Sequence, residues 1–236
     1  MASMFDTILQ LPLFQGISTE SLTKILDKAI LHFEKKEAGE VIIERGTQCN
    51  SLVYILRGEV EKSTEGMGES PYEVSEFMTG PYLIEPNSMF GLDTFFKSTY
   101  IAHTDVDMMS VSKEFMNSIL LKDDVFLLNY INILCRRTQV LEDKIWAFPH
   151  PNATSILCEV MLSHFESQTG RKSLYINVED LAFKSNVLRS KVKQILKNLE
   201  QRGLLQLSGR SIDIPDASLL ADYSRSIIEG GQDDMS

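Results

Sequence analysis

The stretch from residue 178 to residue 214 constrains the fold most, because it carries two short helical patterns in close succession. Leu181 and Ala182 give the first pattern a small apolar face, and Ser185-Asn186 interrupts it. The second pattern has a single apolar stripe at helical spacing, formed by Val192, Ile195, Leu196 and Leu199. Two helices joined by a tight turn are therefore predicted.

A β-hairpin is predicted directly after the second helix. Gly203 suits the left-handed conformation of a helix C-terminal cap. Residues 204–207 and 210–214 then alternate as strands around Ser208-Gly209, a pair suited to a hairpin turn. Helix, turn, helix and hairpin in this order predict a winged helix-turn-helix.

The second helix also carries a strongly basic patch in an acidic chain. Residues 184–202 hold six Lys or Arg and one acidic residue, a local charge of +5, whereas the whole chain has a charge of −10. The face opposite the apolar stripe carries side chains that can donate hydrogen bonds to phosphates and to base edges. This pattern favours DNA binding, and the alternative is a solvated or partner-binding face.

Length and composition allow two globular domains, since the chain has 236 residues, 43 % hydrophobic and 24 % charged. An apolar run of about 18 residues is absent, and the start, MASMFDTILQLPLF, lacks the features of a signal peptide. A cytoplasmic protein without a membrane segment is expected. Cys49, Cys135 and Cys158 have no metal-ligand spacing, so we expect reduced thiols, no metal and no cofactor.

An enzyme is not expected. The sequence has no Gly-rich phosphate loop, no GxSxG and no HExxH, and its four histidines stand in unrelated local contexts. No pair of motifs suggests a nucleophile with its base.

The middle of the chain predicts a β-rich domain. Residues 5–35 are first predicted to be helical, with Ser18 as an N-cap. From 40 to 111 the period changes to short strands, namely VIIE, SLVYIL, EVEKST, YEVSEFM, YLIE, TYIAHTDV and MMSVS. Many short strands separated by Gly and Pro predict a double-sheet or jelly-roll barrel.

Residues 123–149 predict a long helix with a coiled-coil seam. Apolar positions recur at alternating steps of four and three: Leu127, Ile131, Leu134, Thr138, Leu141, Ile145 and Phe148. We interpret this seam as the contact of a parallel homodimer, because packing against a sheet usually recruits a wider apolar stripe. Packing on the β domain is the alternative.

The predicted fold class is α+β, with three parts and a tail. Residues 1–122 are predicted to form a double-stranded β-helix (jelly-roll) domain, 123–149 the dimerisation helix, and 150–222 the winged helix-turn-helix. Pro149 and Pro151 end the long helix and predict a hinge. The polar residues 223–236 are expected to be disordered.

In this order the chain resembles the Crp/Fnr family of bacterial regulators along roughly 5–222. The matching segments are LPLFQGIS at 11–18, KEAGEVIIERGTQCNSLVYILRGEVE at 36–61, SMFGL at 88–92 and LRSKVKQILKNLEQRGLL at 188–205. The resemblance implies a ligand-sensing β-barrel coupled through a dimer helix to paired DNA-binding domains. It also implies RNA polymerase as a partner if the protein is an activator.

The effector site departs from the cyclic-nucleotide binders of that family. Their phosphate cassette opens with Phe-Gly-Glu and supplies an Arg to the cyclic phosphate. Here Gly91 is kept, Leu92 replaces the Glu, and Tyr100 falls in the region where the Arg is expected. Asp93 and Lys97 are candidate replacements, but a Lys does not reproduce the bidentate Arg contact. A different effector, or none, is expected rather than cyclic AMP. His103 is considered as a haem ligand, but a lone strand histidine is far more often structural, so no haem is expected.

The recognition helix departs from the family as well. The family's Arg-Glu and its later Arg correspond here to Arg189, Ser190 and Gln194. Arg189 suits guanine and Gln194 suits adenine, with Ser190 and Lys193 as secondary readers. Phosphate contacts are assigned to Lys184, Lys191, Lys197 and Arg210.

The sequence therefore predicts a homodimeric regulator that reads an inverted repeat in double-stranded DNA. Two alternatives stay open: a ligand-binding module whose C-terminal domain docks a protein, and an enzyme regulated by its barrel. The first would show no salt-dependent DNA binding, and the second would turn over a small molecule.

Overall fold

The computed structural model describes residues 8–9, 11–27, 31–65, 72–146 and 152–230. The chain divides into two compact units, and the division cuts through the β-rich segment. One unit comprises Met1–Val60 and Thr79–Trp146, and the other comprises Glu61–Met78 and Ala147–Ser236. The sequence did not predict that residues 61–78 would group with the C-terminal part of the chain.

The first unit contains strands on both sides of its sequence gap. They are β1 (His32–Lys36), β2 (Val41–Ile43), β3 (Ser51–Arg57), the start of β4 (Glu59–Glu65), the end of β5 (Glu73–Thr79), β6 (Tyr82–Ile84), β7 (Thr99–Ala102) and β8 (Val106–Ser112). A four-stranded antiparallel sheet has the order β1-β8-β3-β6, with Tyr54 opposite Met109 at its centre. Strands β2 and β7 pair with each other and are not part of that four-stranded sheet.

The two sheets correct the predicted barrel and one predicted helix. Over the described residues the sheets do not join into a closed barrel. Residues 32–35 were expected to be helical, but they lie in strand β1, which is paired antiparallel with β8 from His32–Ser110 to Lys36–Val106. Ladder bonds to a neighbouring strand outweigh local propensity here, because strand formation depends strongly on tertiary context.

The first unit also contains helices. Helix α1 (Thr19–Leu26) begins at Ser18, whose side chain accepts a hydrogen bond from the Ser21 amide at 3.1 Å, as its N-cap position predicted. After α2 (Lys113–Ser118) comes the long helix α3 (Asp124–Trp146). The Asp123 carboxylate accepts from the amides of Val125 and Phe126 at its start.

The second unit joins strands from two distant parts of the chain. Its C-terminal elements are α4 (Ala153–Ser163), β9 (Lys172–Tyr175), α5 (Val178–Ser185), α6 (Arg189–Gln201), β10 (Gln206–Ser208), β11 (Ser211–Ile214) and α7 (Ala217–Gly230). The strand order is β10-β11-β9-β5-β4, so β9 lies between β11 and β5. Val74 of β5 shares a buried apolar core with α4, α5, α6 and α7.

Two predictions concern the ends of this unit. The expected hinge at Pro149 and Pro151 lies outside the described residues. Helix α7 continues to Gly230, so a helix occupies the first part of the segment 223–236 for which disorder was expected. Leu220, Ala221 and Ser224 of this helix are buried, which explains why the helix forms in a segment of polar composition.

Candidate nucleic-acid interface and effector site

Helix α6 presents polar side chains to solvent because its apolar stripe is buried. Val192, Ile195, Leu196 and Leu199 lie in the core of the second unit, as predicted. The opposite side carries the predicted DNA contacts: Arg189, Ser190, Lys193, Gln194 and Lys197 are exposed, and Lys191 is half-buried. Helical spacing places the five exposed side chains on one face.

A tight turn sets α6 against α5. Asn186 adopts a left-handed conformation with φ of 52°, which ends α5. The Val187 amide then donates to the Ala182 carbonyl at 3.1 Å, and α6 begins two residues later. Asn is one of the few residues that take this conformation readily. The Ser185-Asn186 break therefore forms where the sequence predicted it.

A hydrogen bond links the β10–β11 hairpin to α6. The Glu200 carboxylate accepts from the Leu207 amide at 3.0 Å, and Gly209 makes the turn with φ of 63°. Arg210 follows in this turn and is exposed. A cavity of about 120 Å³ separates α6 from the hairpin, and Lys193 and Arg210 both line it. Two predicted DNA contacts thus flank one concave surface.

Two of the predicted contacts already have partners in the free protein. The Arg189 guanidinium pairs with the Glu179 carboxylate on α5. The Lys184 ammonium lies 4.6 Å from the ring centroid of Tyr72, just before β5. Sequence reasoning missed both partners, although Glu179 in the first turn of α5 was a local signal. Tyr72 gave no such signal, because it is far away in the sequence.

Helix α3 packs one side against the first unit and leaves another side open. Phe126 and Tyr130 are buried, and the Tyr130 hydroxyl donates to the Pro86 carbonyl at 2.7 Å. Of the predicted seam, Leu127 and Leu134 are half-buried and Ile131, Thr138 and Leu141 are exposed. The side chain of Ile145 and all of Phe148 lie outside the described residues.

The predicted effector residues do not converge on one point. Gly91 takes φ of 104°, and the side chain of Leu92 is fully exposed. Lys97 forms an ion pair with Asp93 on the surface, and this hydrogen bond lowers the pKa of the Asp93 carboxyl. The two replacement charges therefore neutralise each other.

A buried carboxylate that the sequence analysis missed organises the neighbouring residues. Glu85 is almost fully buried and accepts hydrogen bonds from the Tyr100 hydroxyl at 3.1 Å, the Lys97 amide at 2.8 Å and the Ser88 hydroxyl at 3.2 Å. Tyr100 is thus committed to an internal contact. His103 lies 3.6 Å from the Glu59 carboxylate at the surface. An acidic residue directly after the apolar run YLI was the available signal for Glu85.

Two further searches concern only the part of the chain that the structure describes. In it, no group of three or more His, Cys, Asp or Glu side chains is arranged to hold a metal ion. None of its helices combines the length and the apolar character needed to cross a bilayer.

Comparison with known proteins agrees with this architecture. Residues 33–123 match the family model of the cyclic nucleotide-binding domain. In a comparison with curated protein sequences, nothing matches this chain. The solved catabolite activator protein of Thermus thermophilus superposes with a TM-score of 0.50 at 17 % identity, covering 92 % of this chain and 100 % of that chain.

Two other solved structures match with lower scores. A candidate Crp/Fnr regulator of Eubacterium rectale gives a TM-score of 0.49 at 20 % identity, covering 92 % and 99 % of the two chains. A cAMP-binding acyltransferase of Mycobacterium smegmatis gives 0.46 at 18 % identity, covering 58 % of this chain and 41 % of that chain. Residues 33–123 therefore resemble a cyclic nucleotide-binding domain, and the predicted resemblance of the chain to Crp/Fnr-type regulators is confirmed at the level of the fold.

Proposed function

We propose that the protein is a homodimeric transcriptional regulator of the Crp/Fnr type that reads double-stranded DNA with α6. The observation that carries this proposal is the exposed polar face of α6, backed by a fully buried stripe and flanked by the basic hairpin turn. Together α5, α6 and the β10–β11 hairpin act as a winged helix-turn-helix. In this motif the second helix enters the major groove.

The proposed contacts divide by chemistry. Arg189 and Gln194 read base edges, since their side chains suit guanine and adenine, and Ser190 and Lys193 assist. Lys184, Lys191, Lys197 and Arg210 contact phosphates and supply the salt-dependent part of the affinity. Arg189 would exchange Glu179 for a base, so the free protein holds its main reader in an ion pair.

Dimerisation through α3 would present two copies of α6 to DNA. Ile131 and Leu141 are 45 % and 58 % exposed in the single chain, and they lie on the predicted seam. Covering these side chains with the same helix of a second copy would remove apolar surface from water. If the protein is an activator, RNA polymerase is a further partner.

The effector is proposed to be a small molecule other than cyclic AMP, or to be absent. A cyclic phosphate needs a free positive group, whereas Lys97 is engaged by Asp93 on the surface. The Glu85 carboxylate accepts hydrogen bonds from the Tyr100 hydroxyl and the Lys97 amide, so neither group is free for a ligand. No catalytic role is proposed for these residues.

A salt series tests DNA binding. Fluorescence anisotropy with a random-sequence duplex should give a linear fall of log affinity with log salt, about 0.9 per phosphate contact. Lys197→Ala should reduce the slope by about one contact. Lys24→Ala is the matched control, because Lys24 is an exposed lysine on α1 of the other unit. No measurable binding, or equal slopes for all three proteins, would reject the proposal.

A further inference from the structure

The second unit holds a cluster of four charged side chains, three buried and one half-buried, at the junction of β5 with the C-terminal elements. The Glu76 carboxylate, 3 % exposed, accepts from the Lys172 ammonium at 3.0 Å and from the amides of Glu166 and Ser167 at 3.0 and 3.2 Å. The Lys62 ammonium lies 3.4 Å from Glu76 and 2.6 Å from the Glu166 carboxylate. Two lysines and two glutamates thus balance each other.

The same strand pairs directly with the sheet of the C-terminal elements. Strands β5 and β9 are antiparallel from Glu73–Tyr175 to Glu76–Lys172. Next to this ladder, the Arg171 guanidinium stacks 3.7 Å from the centroid of the Phe77 ring. Because β9 already pairs with β11 on its other side, β5 covers an edge that would otherwise lie open.

The charge cluster also fixes the register of this pairing. A slip by one residue would turn Glu76 to the opposite face of the sheet and take this partner away from the buried Lys172 ammonium. It would move Val74, 4 % exposed, out of the shared apolar core. The buried charges therefore select one alignment of β5 against β9.

The residue directly before β5 contacts helix α5 of the proposed DNA-binding motif. Tyr72, at the start of β5, packs edge-on against the His164 ring with 5.0 Å between centroids. The other contact of Tyr72 is with Lys184 on α5, one of the proposed phosphate contacts. Residues of the N-terminal half thus hold a side chain that is expected to touch DNA.

We propose that β4 and β5 are an integral part of the DNA-binding unit, and that Glu76 is the positioning residue that fixes them to β9. This inference rests on the proposed function. The polar face of α6 is exposed while β5 is docked, so docking of β5 leaves this face accessible to DNA. Residues 60 and 79 belong to the first unit, so the chain enters and leaves the docked strands through that unit.

Hydrogen exchange on the full-length protein tests the anchor. Glu76→Gln should speed exchange of the amides of residues 73–77 and 172–175 by at least about tenfold, because it leaves a buried positive charge unpaired. Glu73→Gln is the control: it is the same substitution on the same strand, at an exposed carboxylate bonded to Ser63. Glu76→Gln combined with Lys172→Met restores charge balance and should recover most of the protection. Equal exchange in all three variants would overturn the proposal.

DNA affinity measured on the same proteins tests the functional part. Glu76→Gln should weaken binding by at least about fivefold, and the double variant should restore it. A wild type that binds no DNA would reject the proposed function, while the exchange data would still decide whether Glu76 anchors the strand. A wild type that binds DNA no better than Glu76→Gln would overturn the positioning role alone.

A cross-link gives a test that does not depend on weakening the fold. Glu73 and Tyr175 are opposed across the strands and are both exposed. Opposed residues have Cβ atoms about 5 Å apart, near the range of disulfides. Glu73→Cys with Tyr175→Cys, in a Cys135→Ser background, should oxidise to a cross-link and keep DNA affinity within about twofold of the reduced form. Failure to cross-link, or loss of DNA binding on cross-linking, would overturn the proposal.

Discussion

At the scale of single residues, we propose that sequence selectivity depends most on Arg189. It stands in the first turn of α6, where helices that enter the major groove contact bases. Its ion pair with Glu179 is exposed on both sides, so solvent weakens the pair and DNA can displace it at low cost.

Arg189→Ala and Lys197→Ala should therefore have different effects on DNA binding. Arg189→Ala should cost about 1–3 kcal/mol and relax the preference at one base pair in each half-site. Lys197→Ala should weaken all sequences to a similar extent and reduce the salt dependence. Competition binding with a set of single-base variants measures both effects, and the same preference in Arg189→Ala and wild type would remove Arg189 from the base readers.

Glu76 makes stability depend on pH. Burial raises the pKa of this carboxyl, but Lys62, Lys172 and the amide donors outweigh burial and hold the pKa below its ordinary 4.5. A lowered folded-state pKa stabilises the protein above pH 4.5, and that contribution is lost as the pH falls through the folded-state pKa. Glu76→Gln should cost about 3–5 kcal/mol at pH 7, as expected for breaking a buried pair.

Urea unfolding at pH 7 and below pH 4.5 measures this effect. The difference in the free energy of unfolding between wild type and Glu76→Gln should shrink at the lower pH, whereas Glu73→Gln should stay close to wild type at both. A difference that does not change with pH would mean that Glu76 contributes to the free energy of unfolding through packing and not through its charge.

The residues that the sequence did not reveal share a physical cause. The apolar stripe of α6 was predictable because its members lie within eight residues and repeat with the helical period. Glu76 and Glu85 were missed because their burial depends on partners brought from elsewhere, such as Lys172 for Glu76. Periodicity carries no information on such pairs.

At the scale of elements, α3 has two faces with different roles. Its buried face holds Phe126 and Tyr130, and the Asn129 amide donates to the Gln15 carbonyl at 2.8 Å. The seam repeats independently of these contacts and leaves Ile131 and Leu141 exposed.

Ile131→Lys with Leu141→Lys should convert the dimer to a monomer. Both positions are exposed in the single chain, so the substitutions should leave the fold intact, but in a dimer they would bury unpaired charge. Asn132→Lys with Gln139→Lys is the control. Each of these exposed residues follows a seam position, so this variant should stay dimeric. Sedimentation velocity distinguishes the species, and a folded, dimeric Ile131/Leu141 variant would move the interface elsewhere.

The segment around Gly91 should not bind cyclic nucleotides tightly. Calorimetry with cyclic AMP and cyclic GMP should show no saturable binding below about 1 mM, or about −4 kcal/mol. The reason is that Lys97 and Asp93 pair with each other and Glu85 holds the Tyr100 hydroxyl. Micromolar binding that Lys97→Ala abolishes would show that Lys97 rebuilds the phosphate site.

Helices and strands were predictable where one hydrophobic period dominates the sequence. They were not predictable where pairing with a distant strand determines the conformation. The strands from 41 to 112 were predicted close to their observed positions, because alternation and Gly or Pro boundaries mark them. Strand β1 was not, since its sequence HFEKK is polar and its conformation depends on β8. The course of α7 beyond residue 222 likewise depends on packing against α4, where Ser224 donates to the Glu159 carboxylate.

At the scale of the whole molecule, the arrangement of units differs from a simple sensor followed by a reader. Strands β4 and β5 leave the first unit in sequence and fold with the second. Residues 1–149 hold 13 basic and 22 acidic residues, whereas residues 184–202 carry a local charge of +5.

The central claim is that two copies of α6 read a symmetric site, and selection from random DNA tests it most directly. A dimer places the two helices about one DNA turn apart, roughly 34 Å, so wild-type protein at fixed salt should enrich inverted repeats with half-sites spaced accordingly. The Ile131→Lys, Leu141→Lys variant should enrich single half-sites at most. Recovery of no symmetric motif by the wild-type protein would contradict the account.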